Sequence, residues 1–243
     1  MTRARFSLAA VLLMFASHTG AGVHARIAII IDDLGYQLQA GQRAIALPGP
    51  LAFAFIPGAP RATMLARMAH QEGKEVLVHL PLQATTDERP HEPVGIELDM
   101  SRERVGSVFE QALESVPHAV GINSHRGSLL TRHPGHMQWL MEEISAREDL
   151  FFVDSYTTHH SVALQIAAEA GVDAVKRDVF LDPDRAPETV EREFARMKRL
   201  AQQRGQVVAI GHPYTATLDL LEARLPELEQ EGFELVSISE LVR

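Results

Sequence analysis

The chain has no cysteine among its 243 residues. That absence excludes disulfides, thiolate catalysis and cysteine-based zinc sites, and leaves histidine and carboxylate side chains as the ligands for any metal. Basic residues are also in deficit: 23 Lys and Arg against 32 Asp and Glu give a net charge of −9. An acidic chain of this kind lacks the electrostatic footprint of a nucleic-acid binder, so no nucleic-acid partner is expected. No low-complexity tract interrupts it. Apolar residues make up 46% of the sequence, enough for the full core of one ordinary domain.

No apolar run is comfortable as a membrane span either. The longest, Phe6–Ala16, follows Arg3 and Arg5 and precedes Val23-His24-Ala25, a small-residue cleavage pattern. Residues 1–25 therefore read as an export signal, with a mature domain over 26–243 that is periplasmic or extracellular and has no stable span after cleavage. Losing Arg3 and Arg5 with the leader takes the net charge from −9 to −11.

What is present is organised around IAIIIDDLG, Ile27 to Gly35. A short, unbroken apolar run reads as a strand buried on both faces, as in a parallel sheet covered by helices. Asp32 and Asp33 stand at its carboxyl end, where parallel α/β folds place their chemistry. Adjacent strand residues point to opposite faces, so the two carboxylates are free to take different roles.

Beyond it, strand and helix patterns alternate seven or eight times without a composition break. The strands include LAFAFIP, EVLVHLPLQ, HAVGINSHRGS, DLFFVDS, GVDAVKRDVFLD and QVVAIGHPY. The helices include one capped by Ser101 and ending before Pro117, one over Pro187–Arg204, and a closing one over roughly Thr215–Glu231. The stretch from Ala84 to Asp99 is rich in Pro, Thr and charge and reads as a long loop, the kind that borders a binding site. Such alternation predicts a parallel barrel or an open doubly wound sheet and does not choose between them.

The polar residues follow one rule. Asp32, Asp33, His79, Asn123, His125, Asp154, Arg177, Asp178 and His212 each lie at or just past a strand end. In a parallel sheet those ends open onto one face. One carboxylate and two imidazoles there suffice for a divalent ion with a position left for water, and Asp33, His79 and His125 are the expected ligands. The donor set fits zinc, while also permitting nickel, cobalt or manganese. His159 and His160 read as a solvated surface pair, and His133 and His136 as structural residues at a helix start.

Taken in order, the strand ending in Asp32-Asp33, VHLPLQ, GINSHRGS, FVDS, RDVFLD and IGHP resemble the divergent polysaccharide deacetylases, distant relatives of the NodB-type carbohydrate esterases. The likeness runs from Ile27 to about Arg243. It implies an α/β fold, a distorted (β/α)-barrel with about seven parallel strands, and a metal-dependent hydrolase acting on the amide bond of an N-acetylated envelope polysaccharide such as peptidoglycan. By that likeness Asp32 is the general base, Asp33 a metal ligand and His212 the acid that protonates the leaving amine. Asp154 would orient His212, and Arg177 would tether the base. The family's second metal histidine would fall four residues after His79, where this chain has Gln83, an amide; His125 is the expected substitute. The departure keeps a second reading open, a catalytically impaired barrel that binds an envelope glycan or a protein partner. A hydrolase of a peptide or phosphate ester ranks last, because no glycine-rich anion loop is evident.

Overall fold

Nine parallel strands and seven α-helices alternate along the chain in a computed structural model that describes residues 24–86, 92, 94–147 and 149–242. The proposed leader, up to residue 23, lies outside the described residues. The central strand β1, Ala25–Leu34, pairs with β2, Ala52–Phe55, on one side and β8, Gln206–Gly211, on the other. From β2 the sheet continues through β3, Glu75–Leu82, β4, Ala119–Arg126, and β5, Phe151–Asp154, to β6, Ala174–Lys176. Beyond β8 lies β7, Val179–Phe180, while the short β9, Phe233–Leu235, pairs with the start of β1.

The hydrogen-bonded order therefore ends at β6 and β7, which do not pair with each other. The chain itself bridges them. The Arg177 N–H donates to the Asp154 carbonyl on one side of the seam, and the Asp178 N–H to the Val208 carbonyl on the other. GVDAVKRDVFLD, expected as one strand-like piece, is thus two short ones joined across a gap. The barrel is curled and incompletely bonded, and three of its nine strands have only two or three residues, so six longer ones stand where the family resemblance implies about seven.

Alternation along the strands decides what faces in. Ile27, Ile29 and Ile31, with Phe53, Phe55, Val76, Val78 and Phe152, pack outward against the helices. Ala28, Ile30, Ala52, Ala54, Leu77, Val153, Val208 and Ile210 face the barrel interior, where Val236, Ile238, Leu241 and Val242 of the chain end join them. The interior is apolar there. One step further along each strand the inward row becomes polar, with Asp32 after Ile30, His79 after Leu77 and Asn123 after Gly121.

The helices form where the sequence predicts them, with the differences at their ends. Ser101 caps α3, Arg102–Ser115, by accepting the Arg104 N–H at 3.3 Å. The closing helix α7 stops at Arg224, short of Glu231, because Pro226 cannot extend an α-helical turn and a 3-10 turn takes over at Leu225–Glu227.

Candidate active site

Asp32 and Asp33 do not point to opposite faces as an ideal strand requires. Asp33 has φ of +57°, a left-handed conformation that aspartate tolerates better than most residues, and the β1–β2 register shifts between Ile31 and Leu34. The irregularity brings the second carboxylate back beside the first. Asp33 Oδ1 lies 3.0 Å from His125 Nδ1 and 3.2 Å from His79 Nε2, and the two ring nitrogens are 3.1 Å apart. Among the described residues these three form a cluster able to hold a metal.

The triangle fits a single small cation. Zinc bonds to nitrogen and oxygen are about 2.0–2.2 Å, so adjacent donors around one ion sit roughly 3–3.5 Å apart. Asp33 Oδ1 is also buried and makes no hydrogen bond, although two imidazoles adjoin it. A carboxylate oxygen and two ring nitrogens converging on one point is the arrangement a divalent ion completes.

Asn123 fixes the orientation of His79. Its amide nitrogen donates to Asp32 Oδ1 at 2.7 Å, so its oxygen faces His79 Nδ1 at 2.8 Å and accepts from it. The Nε2 edge of His79 is left for the triangle, which is how a metal-bound histidine is usually held from behind. Asp32 Oδ2 stands 3.6 Å from that same Nε2, next to the cluster but outside the triangle.

Burial raises the Asp32 carboxyl above its ordinary value, against the pull of His79 and His212. Burial also opposes ionisation of Asp33, yet the two adjoining imidazoles hold its carboxyl far below the usual range. His79 is pushed up to about 9 by the Asp32 and Asp33 charges, which overcome its burial, whereas burial keeps His125 low.

On the far side of the carboxylates, His212 Nε2 is 3.6 Å from Asp33 Oδ2. Its Nδ1 donates to Asp182 Oδ1 at 2.9 Å, and Asp182 Oδ2 accepts the His212 backbone N–H at 2.7 Å and the Thr217 hydroxyl at 2.6 Å. The acid that orients His212 is therefore Asp182, and the expectation for Asp154 is corrected. Asp154 continues the outward row of Phe152, so its carboxylate turns away from the interior to accept the Tyr156 N–H and the Ser161 hydroxyl. The missed signal was parity: Asp182 shares the face of Phe180 and closes the RDVFLD motif.

Arg177 is corrected in part. Its guanidinium donates to the Ser155 and Tyr156 carbonyls rather than to Asp32, although it feels the Asp32 charge through space. Gln83 takes no part in the site. Its side-chain oxygen accepts the Leu98 N–H at 2.7 Å and anchors the long loop. From that loop Glu92 reaches the rim, 3.8 Å from His125 Nε2. His159 and His160 are exposed, and His136 and His133 bond each other at the start of α4, Pro134–Ser145.

The cluster opens into a cavity of about 360 Å³ walled by Arg177, Phe180, Arg185 and Tyr214, and past Asp33 and His125 into one of about 860 Å³. A third, of about 810 Å³, lies at the strand starts around Arg26 and Gln206, away from this chemistry.

The model of the divergent polysaccharide deacetylases matches residues 29–242. The Escherichia coli K12 protein YibQ, itself uncharacterized, is 36% identical over 233 residues, spanning 96% of this chain and 71% of its own length. The Agrobacterium tumefaciens C58 protein ATU2773 shares the fold with a TM-score of 0.85 at 20% identity, over 90% of this chain and 89% of its own. More distant is the catalytic domain of a peptidoglycan N-acetylglucosamine deacetylase from Eubacterium rectale, at 0.55 and 14% over 88% of each chain. BA3943 of Bacillus anthracis, a CE4-family pseudoenzyme, scores 0.56 at 12% over 90% of this chain and 66% of its own. With its carboxylates and imidazoles gathered at the strand ends of a curled parallel barrel, the chain belongs to the divergent polysaccharide deacetylase family.

Proposed function

We propose that the protein is a metal-dependent deacetylase of an N-acetylated envelope polysaccharide, peptidoglycan being the first candidate, exported by residues 1–25 and acting through the domain over 26–243. The observation that carries this reading is the meeting of Asp33 Oδ1, His79 Nε2 and His125 Nδ1 within 3.2 Å of one another, flanked by a raised carboxyl and an oriented imidazole. Those three residues would hold the ion, with zinc the expected identity from the donor set. A divalent cation there supplies Lewis acidity, favouring ionisation of water and negative charge on an acyl oxygen.

The other roles belong to the chain. Asp32, buried and raised, takes the proton of the attacking water. His212, held by Asp182 with Nε2 toward the cavity, gives a proton to the departing amine nitrogen. Such acid and base steps are each worth about 10²–10⁴ in rate. Arg177 keeps its place at the cavity wall and supports ionised Asp32 through space.

Zinc-loaded mature protein is expected to release acetate from N-acetylated peptidoglycan, and Asp32→Asn to lower that rate by about 10² or more while retaining the metal. Absence of acetate release from every N-acetylated glycan by fully loaded protein would overturn the reading. The alternative, a barrel that binds a glycan or protein partner without turnover, draws on the pseudoenzyme among the fold's neighbours. It predicts that Asp32→Asn leaves the cellular phenotype intact while changes on the binding surface abolish it.

A further inference from the structure

The seam of the barrel carries a row of cations, two of which, Lys176 and Arg185, have no part in the proposed deacetylation chemistry. Arg177 walls both the catalytic cavity and a second one of about 490 Å³ outside the seam, and the two also share Phe180 and Pro183. The two cavities thus adjoin at these residues, beside the gap between β6 and β7, and together make a grooved surface.

Six basic side chains line the two cavities; Arg126, Arg196 and Arg204 pair with Glu92, Glu193 and Asp178, and the other three each rest on an aromatic face. The Arg185 guanidinium lies 4.2 Å from the Tyr214 ring centre, Arg177 lies 5.0 Å from Phe180, and the Lys176 ammonium lies 4.4 Å from Tyr156. None of the three is ion-paired among the described residues. The neighbouring acids are engaged elsewhere: Asp154 with Tyr156 and Ser161, Asp178 with Arg204 and the Val208 N–H, Asp182 with His212 and Thr217, Asp184 with the Ala186 N–H and Thr189, and Glu193 with Arg196. Balancing the charge of Asp32 accounts for Arg177. It does not account for Lys176 and Arg185, which stand further out on a chain of net charge −9. Aromatic faces hold a cation in place without neutralising it. A groove of such cations attracts an anion and pairs well with a planar carboxylate.

We propose that this groove binds a carboxylate carried by the same glycan, received by Arg177 and Lys176 at the seam and Arg185 at the mouth, so that the substrate is an acidic N-acetylated glycan rather than a neutral one. The proposal rests on the deacetylase reading and names its substrate class. No glycine lines either cavity, so the backbone cradle that favours phosphate is missing. The carboxylate has two sources, a lactyl ether on an amino sugar or a neighbouring uronic acid.

Calorimetric binding to the purified protein distinguishes them with three probes: chitotetraose, which is neutral, a tetrasaccharide of alternating N-acetylglucosamine and N-acetylmuramic acid, and a hyaluronan tetrasaccharide. At low salt at least one carboxylate-bearing probe is expected to bind about tenfold tighter than chitotetraose, and the preferred probe names the source. Lys176→Met and Arg185→Met should each shrink that advantage about threefold, and the double variant abolish it, with chitotetraose affinity unchanged. Raising salt to about 0.3 M should weaken it. Equal affinity for neutral and acidic probes, binding of none, or an advantage that survives the double variant would overturn the proposal. Acetate release is scored separately. Turnover without acidic preference removes the subsite and leaves the deacetylase; acidic preference without turnover on any glycan does the reverse.

Discussion

Asp182 grips His212 at two points, taking its ring Nδ1–H at 2.9 Å and its backbone N–H at 2.7 Å. Burial alone would lower the His212 pKa, and the bond to Asp182 with the charge of Asp33 raises it instead. A raised histidine contributes stability that is complete below its ordinary value of 6.5 and is lost as pH rises through the elevated one. The same shift keeps the imidazole protonated for donation to an amine. Asp182→Asn is expected to move the alkaline limb of the kcat profile to lower pH and to reduce kcat, whereas Asp154→Asn should leave that limb where it is. An identical shift in both variants would return the orienting role to Asp154.

Metal uptake should release protons, and the count follows from the two histidines. His79 is pushed up to about 9 by adjoining carboxylates and carries a proton at neutral pH without an ion, while His125 is held low and does not. Zinc binding at pH 7 is therefore expected to expel about one proton, since coordinating imidazoles must be neutral. Calorimetry in buffers of differing ionisation enthalpy reads the number directly. A count near zero would mean that His79 is already neutral in the free protein.

The ligand set separates by mutation from the loop beside it. His79→Ala and His125→Ala should each abolish stoichiometric zinc, because either leaves only two donors at the triangle. Gln83→Ala should keep the metal and cost about 1 kcal/mol, the worth of one hydrogen bond, through the freed Leu98 N–H. Metal analysis and chemical denaturation of the three variants check both parts. Loss of zinc in Gln83→Ala would show that the anchored loop contributes to the site.

Strand ends and helix spans were legible because burial imposes them. IAIIIDDLG has no other stable place than the middle of a covered parallel sheet, and its carboxylates mark the end where such sheets react. The meeting of His79 and His125 was legible for the same reason, each following an inward-facing row. What escaped the sequence was local. The turn of Asp33 into a left-handed conformation has no composition signature, since any aspartate before a glycine-containing turn tolerates several geometries. Asp154 and Asp182 both end strand motifs, and only their parity, set by Phe152 pointing out and by the break at Arg177–Asp178, tells which one reaches His212. That break depends on where two edges of a curled sheet come close, a property of the whole barrel rather than of twelve residues.

Asn123 supplies the sharpest test of the arrangement, because one fully buried amide serves both the proposed base and a proposed ligand. Its nitrogen donates to Asp32 and its oxygen receives His79. Asn123→Leu removes both bonds while nearly conserving volume, leaving a buried carboxylate and a buried imidazole nitrogen each short of a partner. Unsatisfied groups of this kind cost about 1–3 kcal/mol each. Loss of a partner behind a metal-bound histidine typically lowers affinity about 10–100-fold. Denaturation with a chelator present measures the first effect, and competition with a zinc indicator the second. Asn123→Asp discriminates further: it keeps the acceptor for His79 but sets a second carboxylate against Asp32. That variant is expected to retain zinc and lose turnover as Asp32 and the introduced carboxylate come to share a proton, since like charges so close resist joint ionisation. Unchanged activity in Asn123→Asp would mean that the proton-accepting group is not Asp32.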